Sequence, residues 1–150
     1  MLTGRPAIHP GHRDQGSVLM LMPAAVLIVL LLGAIAVDLT VVHLRQRAAV
    51  SAAASAANDA VTYGLDQSAL RRGQGYHLDP NRVARAVTES IESQGLDDDL
   101  VSPPEVSQPT PDTVTVVLHV RALYIFARAL PHGPTDTIVT ATATATIDQR

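Results

Sequence analysis

Side chains that commonly carry out chemistry are present in this chain, but their spacing does not suit it. There are six histidines and no cysteine, and only His9 and His12, in an N-terminal tail, approach metal-ligand spacing. Three aspartates at 97–99 lack the alternating spacing of a calcium loop. The pair Gly73 and Gly75 follows no strand that would make it a phosphate loop. We therefore expect residues 97–99 to form a solvated loop and Gly73 and Gly75 to lie in a turn. We expect no metal, no cofactor and no enzymatic activity.

Composition also argues against a deep ligand pocket and against nucleic acid as a partner. One Phe, three Tyr and no Trp leave few of the aromatic side chains that dominate pockets and interface hot spots. The formal net charge is −3, and the 11 basic residues are dispersed along the chain instead of forming a basic stripe. These features favour a structural role.

A long apolar segment near the N-terminus must position the rest of the chain. Residues Val18 to Val37 carry no charge, and a helix of this length, at about 1.5 Å per residue, spans about the 30 Å core of a bilayer. The segment predicts a transmembrane helix. A cleaved secretory signal is the competing interpretation, because Ala34 and Ala36 form a small-x-small pattern. The apolar run is longer than the signal's usual core of about 7 to 15 residues, which favours retention.

The orientation of this helix is predicted from the charges that flank it. Arg5 and Arg13 precede the segment, whereas Arg45 and Arg47 follow it at a greater distance, with Asp38 closer in. The positive-inside rule then favours a cytoplasmic N-terminus in a single-pass protein of the cell membrane. Four parts are expected: a cytoplasmic leader over 1–17, the membrane helix over 18–37, an extracytoplasmic stalk helix over 38–63, and a small extracytoplasmic domain over 64–150.

The stalk, residues 38–63, contains no proline or glycine and is rich in alanine, the best helix former. At helical spacing, one face is apolar and the opposite face carries serine, asparagine and threonine. The apolar face is predicted to comprise Val50, Ala53, Ala54, Ala57 and Val61. Either the chain's own domain packs on this face, or its small side chains allow self-association or docking on neighbouring subunits.

A second, shorter helix is predicted after the stalk. Asp79 and Pro80 form an N-cap and first-turn pair, and the amphipathic pattern that follows ends at Gly95. The proline-rich residues 102–111 come next. Because proline can continue neither a helix nor a strand ladder, they are predicted to form an exposed loop.

The C-terminal third alternates between apolar and polar residues, which is typical of half-buried strands. Residues 113–123 and 137–147 are the two predicted strands, separated by a short helical turn within 124–130. The expected fold class is therefore α+β: a transmembrane helix extended as a long stalk, one further helix, and a short antiparallel sheet lying on the stalk.

Several stretches of the chain together form a recognisable pattern. They are Arg13-Asp14-Gln15-Gly16-Ser17 before the membrane helix, Ala36-Val37-Asp38-Leu39 at its exit, the helix from Arg45 to Ala60 with its Ala57-Asn58-Asp59-Ala60 run, and the alternation from Thr140 to Ile147. The pattern resembles the TadE/TadG-like family of tight-adherence (Flp) pilus systems, well over 13–63 and loosely beyond. This resemblance implies an envelope protein that assembles, anchors or caps a pilus with other pilus-assembly or pilin-like subunits, or a pilin-like subunit.

Two positions refine what the resemblance implies. Pilin-like members carry a glutamate five residues after the glycine at which a prepilin peptidase cuts, and counted from Gly16 that position holds Leu21. This difference favours a retained anchor over a processed minor pilin. Asp38 resembles the aspartate at the helix exit of TadG-like members, where it could satisfy polar groups at the membrane surface, or it only marks the end of the span. A membrane-tethered binding or sensory module remains the other alternative.

Overall fold

The computed structural model describes residues 15–73 and 75–147, in which a small layer of helices and strands packs on the C-terminal half of one long helix. Most of the expected leader, with His9 and His12, lies outside the described residues. The helices are α1 Gln15–Tyr63, α2 Gln67–Arg71 and α3 Pro80–Ser93, and the strands are β1 Glu105–Thr110, β2 Thr113–Leu123 and β3 Asp136–Thr146. The α+β class and the antiparallel sheet are confirmed.

Helix α1 has two halves with different surroundings. Between residues 21 and 37 almost every side chain is exposed, although nearly all of them are apolar. Within the described ranges this is the one helix long and apolar enough to cross a membrane. From Ala49 onward, one stripe of the same helix is fully buried. The first half is therefore almost entirely uncovered by the chain itself, whereas the second half forms part of a core.

The sheet has the order β1-β2-β3, with every neighbouring pair antiparallel. β2 and β3 pair without interruption from Thr113 opposite Thr146 to Leu123 opposite Asp136. The inner face of β2 is completely buried, as its alternation predicted. On the outer face, cross-strand threonines pair through their hydroxyls, such as Thr115 and Thr144 at 2.9 Å.

The core lies between the sheet, α1 and α3. Alanines of α1 face the sheet and α3 with almost no exposed surface: Ala49, Ala52, Ala53, Ala56, Ala57 and Ala60. Opposite them stand larger aliphatic residues, namely Val114, Val116, Leu118 and Val120 of β2 and Val83, Val87 and Ile91 of α3. Because alanine adds only a methyl group, the helix backbone approaches the sheet closely and the valines and leucines fill the space between them.

The predicted apolar face of the stalk was partly wrong. Ala53 and Ala57 are buried and Val61 is half-buried, but Val50 and Ala54 are exposed. The buried stripe is rotated by about a quarter of a turn from the predicted one at 100° per residue. Alanines do not differ from one another in hydrophobicity, so the prediction of the buried face depended on Val50 and Val61. Both valines lie at or beyond the edge of the stripe that is buried in the structure.

The proline-rich residues 102–111 were predicted to form a loop, but they contain strand β1. This strand lies at the sheet edge, where proline's missing N–H costs no ladder bond. Its pairing with β2 is irregular between Ser107 and Thr110, next to Pro109. The short helix α2 was also unpredicted. Its N-cap is Asp66, whose carboxylate accepts hydrogen bonds from the backbone N–H groups of Ser68 and Ala69.

Gly64 follows the last residue of α1, and its lack of a side chain matters there. Its N–H donates to the Ala60 carbonyl at 2.9 Å, and its own carbonyl accepts from the N–H of Asp79 at 2.8 Å. A Cβ at this position would lie 2.2 Å from the Ala60 oxygen and 2.5 Å from Cγ2 of Val83. Glycine thus lets the start of α3 lie against the end of the stalk.

Two leucine substitutions on the stalk distinguish the observed face from the predicted one. Ala56→Leu puts three extra carbons into a fully buried position and should lower the free energy of unfolding by about 1–3 kcal/mol through overpacking. Ala54→Leu, on the exposed side of the same helix, should change it by less than about 0.5 kcal/mol. Urea unfolding of the full chain in detergent, followed by circular dichroism, measures both. A larger loss for Ala54→Leu would contradict the packing described above.

Candidate functional site at the base of the stalk

Asp38 follows directly on the apolar segment and binds a loop from the other end of the chain. Its side chain is 7% exposed. One carboxylate oxygen accepts hydrogen bonds from the backbone N–H groups of Ile125 at 2.7 Å and Phe126 at 2.9 Å. The other oxygen accepts from the N–H of Ala127 at 2.8 Å. A single carboxylate therefore fixes three consecutive peptide groups.

The bound segment, which we call the base loop, comprises residues 124–135 and connects β2 to β3. It is closed by a hydrogen bond from the Tyr124 N–H to the Thr135 carbonyl, 3.0 Å long. Inside it, a short 3-10 helix spans Ala127–Ala129. The first N–H groups of any such turn have no acceptor within the turn. Asp38 supplies the missing acceptor from a distant part of the chain.

The charge of Asp38 is favoured by these contacts. Burial raises the pKa of a carboxyl group, and it is the largest single influence on Asp38. The hydrogen bonds from Phe126, Ala127 and Ile125, aided by the positive charge of Arg128, act together in the opposite direction and hold the pKa below its usual value of 3.8. The carboxylate is therefore ionised at neutral pH.

Two further polar contacts join the stalk to the domain at successive heights. Arg45 forms an ion pair with Asp99, which belongs to the 3-10 turn Asp97–Asp99. Near the far end, the Ser90 hydroxyl of α3 donates to the Asp59 carboxylate at 2.6 Å. The expected solvated acidic loop thus contributes one aspartate to a stalk contact. None of these partners could be assigned from spacing, because they are separated by tens of residues.

The predicted site residues do not converge on one place. Gly16 lies in the first turn of α1, about 33 Å along the helix from Asp38. Ala53, Ala57 and Val61 face the chain's own domain. Val50 and Ala54 lie on the outward side of the stalk instead. Of the predicted residues, Asp38 has a specific set of hydrogen bonds. The base loop, which supplies their donors, was not predicted from the sequence.

The opposite end of the stalk carries a shallow cleft of 660 Å³. Its lining includes Tyr63 and Leu65, together with three arginines, Arg71, Arg82 and Arg85. Arg82 already donates to the Leu65 carbonyl at 2.7 Å. Among the described residues, no group of three or more histidine, aspartate or glutamate side chains is placed to hold a metal ion.

Comparison of the chain with protein-family models, with curated proteins and with solved structures gave no match. The resemblance to TadE/TadG-like proteins stays a prediction.

The bonds from the base loop to Asp38 should depend on pH. Because the folded-state pKa is lowered, the stabilisation is complete above the usual value of 3.8 and is lost as the pH falls through the lower, folded pKa. We expect hydrogen-exchange protection of the amides of Ile125, Phe126 and Ala127 to be constant near neutrality and to fall below about pH 3.8. Protection is measured relative to the intrinsic exchange rate at each pH.

Asp38→Asn is the matched variant for this experiment. Its amide offers one oxygen, and its NH₂ group would face an N–H donor of the loop. The loop amides should therefore exchange faster at neutral pH, and their protection should no longer change between pH 5 and 3. Amides of Val83 and Val87 in α3 serve as the internal control. Unchanged protection at 125–127 in Asp38→Asn would show that the carboxylate does not hold the loop.

Proposed function

We propose that this chain is a single-pass membrane protein that acts as a structural or assembly component of a Flp-type pilus or secretion system, with its N-terminus in the cytoplasm and its domain outside. The observation that carries the proposal is the division of α1. One half is apolar on all sides and uncovered, and the other half is the central support of a small domain. The TadE/TadG-like pattern over residues 13–63 supplies the pilus context.

The uncovered half favours a lipid environment. Leu27 and Leu30 are examples of side chains that are more than half exposed, and every neighbouring turn repeats the pattern. A helix that is hydrophobic all round requires either a large protein around it or a bilayer. The domain covers only the other half of α1, so the bilayer is the environment that suits this segment.

The covered half favours a structural role over a mobile tether. The stalk is continuous with the apolar segment, and the domain contacts it at Asp38, Arg45, Asp59 and Gly64. Such a domain has a fixed height and rotation relative to the helix. A fixed geometry is useful for a subunit that must present one surface to its neighbours.

That surface is best assigned to the outer face of the stalk, because the inner face is already occupied by the chain's own domain. The outer face comprises the exposed residues His43, Arg47, Val50, Ala54 and Asn58, spaced by three or four positions. Val50 is 46% exposed, and the small Ala54 beside it allows close approach of another helix. Neighbouring subunits or a second copy could dock here.

Membrane insertion is tested by placing charge within the apolar segment. The double variant Leu27→Arg and Leu30→Arg adds about 2.5–3.5 kcal/mol of insertion cost per arginine. It should convert a carbonate-resistant protein into an extractable one, whereas Leu44→Arg, beyond the segment and equally exposed, should remain in the membrane. A C-terminal phosphatase fusion should be active only outside the cytoplasm. Extraction of the unaltered chain by carbonate would refute the anchor.

The assembly role is tested by cross-linking through single cysteines, since the chain has none of its own. Ala54→Cys on the outer face should give bismaleimide adducts with envelope proteins in piliated cells, and these should disappear when the rest of the pilus system is deleted. Thr88→Cys, exposed on α3, is the control and should give few. Equal, low yields at both sites in a membrane-retained protein would favour the tethered binding module, with the arginine-lined cleft as its candidate site.

A further inference from the structure

We propose that the base loop is a second membrane contact, in which Ile125, Phe126 and Leu130 insert into the phospholipid headgroup region beside the point where α1 leaves the bilayer. This inference rests on the proposed membrane anchor. It adds that the domain lies directly on the membrane surface instead of standing clear of it.

The first observation is an apolar patch that the fold leaves uncovered. Ile125 and Phe126 are each 46% exposed, and Leu130 is 57% exposed. Phe126 is the chain's single phenylalanine. The buried core of the domain lies elsewhere, and these three side chains are not part of it. Exposed apolar side chains clustered on one loop mark an interaction surface.

The second observation is the height of this patch along α1. The hydrogen bonds to Asp38 place the backbone of residues 125–127 beside the first residue after the apolar segment. Ala34, one turn earlier and on the same side of the helix, is half-buried, unlike its exposed neighbours. Ala34 lies about 6 Å before Asp38 along the helix. Interfacial apolar groups penetrate bilayers by about 5–10 Å, which matches this level.

The third observation is the charge of the base loop. Residues 124–135 contain no aspartate or glutamate, and they include Arg128. The nearest carboxylates are already engaged, Asp38 by the three N–H groups and Asp136 by Arg121 at 3.3 Å. A phosphate-bearing surface would therefore meet the exposed Arg128, whereas the Asp38 carboxylate is buried and the Asp136 carboxylate is paired with Arg121. Apolar side chains beside a basic residue are the composition expected for contact with phospholipid.

The absence of tryptophan from the chain allows a direct test. Single-tryptophan variants of the full chain are made at three exposed positions: Phe126→Trp in the base loop, Leu30→Trp in the apolar segment, and Tyr63→Trp at the far end of the stalk. Each is reconstituted into vesicles of phosphatidylcholine and phosphatidylglycerol in equal parts. The phosphatidylcholine carries bromine either near the headgroup or near the end of the acyl chain, and bromine quenches tryptophan only at short range.

The three variants give distinguishable results. We expect the fluorescence of Leu30→Trp to be quenched most by deep bromine, that of Phe126→Trp to be quenched by shallow bromine with a blue-shifted emission, and that of Tyr63→Trp to be unaffected. Quenching at position 30 with none at position 126 would overturn the loop contact and leave the anchor intact, and the patch would then be a candidate surface for a protein partner. No quenching at position 30 would overturn the anchor and this inference together. Leu130→Trp serves as a second loop reporter if Phe126→Trp misfolds by circular dichroism.

Discussion

Among the described residues, the inner face of the sheet is buried mainly against α1 and α3, and the alanine stripe of α1 makes this burial possible. Val116, Leu118 and Val120 have no exposed surface, although the described part of the domain outside the stalk contains little more than one sheet and the helices α2 and α3. Without the stalk, α3 and the short turns would be left to cover these side chains, and much of the apolar face of the sheet would be open to solvent. The domain and the long helix are therefore one folding unit, and larger side chains at Ala52 or Ala56 would force them apart.

The stalk and the sheet also match in length. From Asp38 to Ala60 the helix rises about 33 Å, and the 11 residues of β2 extend over about the same distance. Polar contacts lie at both ends of this length: Asp38 binds the base loop at the lower end, and Gly64 binds Asp79 at the upper end. Further polar contacts lie between them. Because alanine methyl groups provide little shape to fix one register along the helix, these directional bonds are what define how high the domain lies on it.

Features with a strong local signal could be read from sequence, and features that depend on distant partners could not. The capped helix α3 and the alternating strands β2 and β3 were predicted almost to the residue, since caps and period-two patterns are local. The buried stripe of α1 was predicted at a rotated position because a run of alanines has no variation in hydrophobicity that marks one face. Strand β1 was missed because Pro109 is tolerated at a sheet edge. Asp38 was recognised as unusual, but its partners are 87 to 89 residues away, and nothing in residues 125–127 marks free N–H groups.

The position of Asp38 also bears on which class of protein this chain belongs to. A tethered binding module that must search for its ligand gains reach from a flexible linker. Here the apolar segment, the stalk and the domain share one uninterrupted helix, and a buried carboxylate fixes the lowest loop of the domain one residue after that segment. Any tilt of the helix is then transmitted directly to the domain. Such a continuous connection suits a part that holds neighbouring subunits at a set angle and height, and it supports the proposed assembly role over ligand capture by a mobile domain.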